Sequence, residues 1–133
     1  MDKNLIQIAE KCRDGAEGGT MSFPEIVGLL MQSGFEGYTI DFRRNQATYY
    51  AASGESVELS THDVGLPVAP AFDAGIVAAG VKEAQANAPG YTYKGFCRKV
   101  VAAGCAGYMV SFSGRRVIYF GRTAETHLEL FPN

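Results

Sequence analysis

The sequence predicts an α+β fold: two tandem helix-helix-three-stranded-meander repeats forming antiparallel sheet packed against helices. Three observations predict it. "GFEGYTIDF" at 34–42 returns as "GCAGYMVSF" at 104–112, so the phrase Gly-x-x-Gly-Tyr-x-(Ile/Val)-x-Phe is written twice. Before each copy, apolar residues recur at helical spacing; after it, the period drops to two, that of a half-buried strand.

Sliding the chain against itself by 70 residues pairs Ile6 with Ile76, Gly34 with Gly104, Gly37 with Gly107 and Tyr38 with Tyr108. It also pairs Phe42 with Phe112, Tyr49 with Tyr119 and Glu55 with Glu125. The clustering of these identities indicates an internal duplication. The chain reads as a single domain, 1–133, with repeats at 3–59 and 73–131 and a linker at 60–72. The linker, "STHDVGLPVAPAF", holds Gly65, Pro67 and Pro70, which do not extend a helix.

The first helix, about 3 to 14, sets Leu5, Ile8, Ala9 and Cys12 on one face. The second opens at "SFPE": Ser22 caps it, Pro24 suits the first turn, and Glu25 completes a capping box. Gly34 stops it in the left-handed region. Tyr38, Ile40 and Phe42 then alternate with Thr39, Asp41 and Arg43, "RRNQ" turns, "ATYYA" returns, and "SVELS" adds a third strand. The second half repeats the order. Asp73 caps a small-residue helix at about 73 to 87, and Thr92 caps the next, which Gly104 stops. "YMVSF", "VIYFG" and "THLELF" supply its strands. "ETHLEL" against "ESVEL" reads as one extra residue, a bulge that turns His127 and Glu129 away from Leu128 and Leu130.

Composition bounds the function. A net charge of -2 and a pI near 5.6 disfavour a nucleic-acid or anionic-lipid partner. "MDKNLIQIAEKCRDG" lacks the apolar run of a secretory leader, and no stretch reads as a membrane span. Cys12, Cys97 and Cys105, odd in number and widely spaced, fit reduced thiols and a cytoplasmic location.

The segment "FPEIVGLLMQSGFEGYTIDFRRNQATYYAASGE" resembles the first half of the YdfO-like family of bacterial and prophage-associated proteins, often labelled phage envelope protein. "LPVAPAFDAGIVAAGVKEAQ" and "FCRKVVAAGCAGYMVSFSGRRVIYFGRTAETHLELFP" resemble its second half. "TAET" departs from it, standing where a tighter "DGD"-like turn is expected. The resemblance implies a small α+β domain, dimeric, with no established activity and no catalytic residues to carry over.

The residues themselves offer sparse chemistry. His127, oriented by Glu125 or Glu129 and joined by Tyr119 or Cys97, is the candidate ligand site between the repeats; an exposed strand histidine is the plainer reading. Cys97 and Cys105 match apolar Val27 and Phe35 in the other half, which marks them as core. No C-x-x-C, H-x-x-x-H or carboxylate loop suggests a metal, and no glycine motif suggests a cofactor. Arg43, Arg44, Arg115 and Arg116 fall at equivalent hairpin turns, a weak phosphate-gripping pair. The expectation is a non-enzymatic binding module that self-associates as a homodimer; a small enzyme or small-molecule binder near His127 is the alternative.

Overall fold

A computed structural model describes residues 1–132. Helices α1 (Lys3–Gly18) and α2 (Phe23–Gln32) precede strands β1 (Phe35–Asp41), β2 (Gln46–Ala51) and β3 (Ser56–Ser60). Helices α3 (Ala74–Gln85) and α4 (Tyr93–Ala102) precede β4 (Cys105–Ser111), β5 (Arg116–Gly121) and β6 (Thr126–Leu130). The strands form one antiparallel sheet in the order β3-β2-β1-β4-β5-β6. The helix-helix-meander order thus occurs twice, as the sequence predicts.

Local signals set the elements. Asp2, Ser22, Asp73 and Thr92 cap the four helices with their side chains, and Ser22 with Glu25 completes the capping box. Gly34 and Gly104 follow α2 and α4 with φ of 96° and 93°, conformations that L side chains resist. The first helix runs to Gly18, longer than its apolar stripe, and ends on the left-handed Gly19.

The two halves join at β1 and β4, and the register is informative. Tyr38 pairs with Val110, Thr39 with Met109 and Ile40 with Tyr108. Thr39 and Met109 are equivalent under the 70-residue shift, so a pseudo-two-fold axis passes between them. A Cβ on Gly37 would strike the carbonyl oxygen of Val110, and one on Gly107 that of Ile40. The second glycine of the twice-written phrase therefore permits the two repeats to meet.

Inward-facing Tyr38, Ile40, Tyr49, Tyr108, Val110 and Tyr119 are buried against Leu30, Val77, Val100 and Val101 from the helices. The linker contributes too. Val64 and Val68 are buried, and the N–H groups of Ala69 and Asp73 donate to Val101 and Ala103 at 3.2 and 2.8 Å.

The last strand corrects the expected bulge. Tyr119 pairs with His127 as Tyr49 pairs with Val57, with no shift of register between β5 and β6. The irregularities lie instead at Phe35/Gly37 and Cys105/Gly107. In the turn before β6, Ala124 takes a positive φ of 66° where the first repeat uses Gly54 at 97°. The "TAET" turn thus places a Cβ in a region where glycine is at ease.

Candidate functional site

His127 and Glu129 sit two residues apart on β6, so both face the helices, while Leu128 and Leu130 face outward. His127 Nε2 lies 2.9 Å from Glu129 Oε2, and Gln85 Nε2 of α3 donates to Glu129 Oε1 at 3.4 Å. Tyr119, the cross-strand neighbour of His127, holds its ring 6.3 Å away. Glu125 does not join them: it lies in the turn, where its carboxylate accepts from Thr123 Oγ1 at 2.8 Å. Cys97 is fully buried on α4 beside the Tyr93 hydroxyl, and it is near enough to Tyr119 to help raise that phenol.

A second histidine–carboxylate pair lies under the linker. The His62 N–H donates to Glu17 Oε2 at 2.9 Å, and His62 Nδ1 lies 3.2 Å from the same oxygen. Among the described residues, His62 Nε2 is buried with no hydrogen-bond partner. Beside it Tyr93 stands edge-on at 6.2 Å, with its hydroxyl 2.6 Å from that of Tyr108. No sequence spacing announced this pair, because 45 residues separate its members. Surface depressions of about 550 Å³ along α1 and 170 Å³ between α3 and α4 are lined by neither histidine.

The thiols are buried in the fold. Burial raises Cys12 and Cys105 from the ordinary 9.0 to about 11, and Cys97 to about 12. All three are free, and none is exposed. We expect a thiol-specific disulfide reagent at pH 8 to label none of them in the native protein and all three in denaturant. Rapid native labelling at Cys97 would contradict this burial. Among the described residues no cluster of histidine, cysteine and carboxylate side chains could hold a metal ion.

The basic hairpin tips do not form one grip. Since β1 and β4 run antiparallel, the turns carrying Arg43 and Arg44 and those carrying Arg115 and Arg116 lie at opposite ends of the sheet. Arg115 donates to the Pro132 carbonyl at 3.2 Å and lies over the Phe131 ring; Arg116 donates to Gly114.

The outer face of the sheet departs from the internal symmetry. Its central row runs Glu58, Thr48, Thr39, Met109, Ile118, Leu128, each paired with the next. The pseudo-two-fold exchanges Thr39 with Met109, Thr48 with Ile118 and Glu58 with Leu128; the flanking rows exchange Ser60 with Leu130. Each of these four exchanges trades a polar residue for an apolar one, whereas Asp41/Ser111, Gln46/Arg116 and Ser56/Thr126 in the flanking rows stay polar. Met109, Leu128 and Leu130 are 44%, 48% and 59% exposed, so this half of the face shows apolar side chains to solvent. The inner positions invert the trade, since Val57 and Leu59 answer to His127 and Glu129.

A sequence profile for a family described as "Protein of unknown function (DUF1398)" matches residues 7–129. No curated protein matches the chain. Among the described residues no helix is long and apolar enough to cross a membrane.

Proposed function

We propose, since the chain belongs to the DUF1398 family of proteins of unknown function, that it is a non-catalytic interaction module that self-associates as a homodimer through its second repeat. The single observation that carries the reading is the unequal outer face. A duplicated scaffold needs matched positions for its core, and the buried pairs Tyr38/Tyr108, Phe42/Phe112 and Tyr49/Tyr119 are matched. Along the central row of the outer face and at Ser60/Leu130, the second repeat carries apolar residues to solvent that the isolated fold does not need. An exposed apolar patch of this kind marks a surface that another protein covers. Symmetric homo-oligomers are the commonest way of covering it.

The histidines support the same conclusion from the other side. His127 is engaged by Glu129, and the two depressions described above are lined by neither histidine. Three buried free thiols support a cytoplasmic setting, and the likeness to YdfO-like proteins supports a bacterial or prophage origin.

Light scattering across a dilution series, paired with native mass spectrometry, tests the reading. The expected result is twice the chain mass with no small molecule attached. A monomer at every dilution overturns self-association, and a retained small molecule overturns the non-catalytic reading in favour of a ligand site.

A further inference from the structure

We infer that the dimer forms by antiparallel pairing of the β6 edge with β6 of a second copy, in the register that sets Leu128 opposite the partner's Leu128. This rests on the self-association proposed above and adds its site and register.

The sheet has two free edges, β3 and β6, and they differ. Gly121 donates to Glu125 and Phe131 to Arg115, so the odd-numbered residues of β6 bond to β5. Antiparallel ladders alternate, which turns the N–H and C=O groups of Thr126, Leu128 and Leu130 toward the open edge. On β3 the same alternation turns out Ser56, Glu58 and Ser60. There the edge is closed off: Arg13 of α1 donates to the Ser60 carbonyl at 3.1 Å, and Glu58 places a charge mid-strand. The equivalent of Arg13 is Glu83, which pairs with Lys99 rather than with the edge. Leu128 stands where Glu58 stood. Proteins guard exposed edges with charges and covers; β6 has lost both guards that β3 keeps.

The strand's own sequence selects the partner and the register. A two-fold antiparallel pair of β6 strands can centre on His127, Leu128 or Glu129. Centring on Glu129 sets like charges opposite each other, and centring on His127 sets imidazole against imidazole. Centring on Leu128 opposes Thr126 to the partner's Leu130, and His127 to the partner's Glu129. On the inner face, imidazoles and carboxylates then alternate across the junction; on the outer face the leucines of both chains meet. This register also engages the whole strand, and Pro132, the next edge-facing position, has no N–H to continue the ladder. The same construction on β3 would set Glu58 against itself. The second copy is therefore the occupant that the edge, the charges and the leucines fit together.

Light scattering of the wild type, Leu128→Lys and Glu58→Lys tests the site. Both changes fall on outward positions, and circular dichroism checks the fold. Leu128→Lys is expected to weaken the dimer by about a hundredfold in Kd, while Glu58→Lys leaves it unchanged; Leu130→Lys serves if the first variant misfolds. Leu128→Cys, oxidised with diamide, is expected to cross-link the two chains, because only in this register does residue 128 face itself. A dimer that survives Leu128→Lys and is not cross-linked through Leu128→Cys overturns the β6 site while self-association stands. Dissociation by Leu128→Lys without that cross-link overturns the register. A monomer at every dilution overturns both proposals.

Discussion

Raising the pH from 9 to 11 is expected to unfold this protein cooperatively. Its core is built around phenols and thiols that burial keeps neutral. Desolvation pushes Tyr38, Tyr93 and Tyr108 well above the ordinary 10.0, and raises Tyr49 and Tyr119 as well. Three thiols are raised from 9.0 to about 11 or 12. Each group is an acid whose folded form holds its proton longer than the unfolded form. Its contribution is therefore complete below the ordinary value and is lost as pH climbs toward the raised one. The thiols enter this window from pH 9 and the tyrosines from pH 10. Within its window each group costs about 1.4 kcal/mol per pH unit. Several such groups together match a total stability of about 5–15 kcal/mol. Urea unfolding midpoints between pH 7 and 11, with phenolate absorbance followed in parallel, check this. The midpoint should be level to pH 9 and then fall steeply, and the buried phenolates should appear together with loss of structure. Phenolates that form one by one in an intact fold would contradict it.

The second large effect is expected at the junction of the repeats. Gly107→Ala places a methyl group against the Ile40 carbonyl and within 2.8 Å of the Phe120 ring. Gly37→Ala does the same against the Val110 carbonyl. In both places backbone has to move, and among the described residues β1–β4 is the only ladder joining the two halves. Overpacking commonly costs about 1–3 kcal/mol; with backbone on the receiving side, we expect about 3 kcal/mol or more for each variant. Chemical denaturation with matched slopes measures the loss. Gly18→Ala, at a helical site where a Cβ meets nothing within 4 Å, is the control and should be neutral or slightly stabilising. Equal behaviour of Gly107→Ala and Gly18→Ala would show that the ladder accommodates a side chain there.

Much of the scaffold was legible in the sequence because its signals are local. Ser22 with Glu25, Asp73 and Thr92 announce helix starts within four residues of themselves, and Gly34 and Gly104 announce stops. The alternation of Tyr38, Ile40 and Phe42 fixes a strand and its buried face without knowledge of any neighbour. What escaped depends on partners far along the chain. Nothing near Gly37 says that a carbonyl of the other repeat will press on it. The Glu17–His62 pair is equally silent, since neither residue carries a motif. "THLEL" looks shifted against "SVELS" because its apolar residues moved to the other face, not because a residue was inserted. Strand alternation alone puts His127, Glu129 and Tyr119 on one side of β5 and β6, whereas the placement of Glu125 in the turn depends on how that turn folds.

Thr39 and Met109 lie on either side of the internal axis, and this has a consequence for descent. A chain of one repeat, pairing its first strand with that of an identical chain, would bring this position against itself. Any substitution on the outer face would then appear on both sides at once, so a polar half and an apolar half could not coexist. Fusing the copies through the 60–72 segment released them from that rule. One copy could keep a guarded rim while the other became apolar on its outer face. In such a history duplication did not enlarge the fold; it gave a symmetrical object a direction.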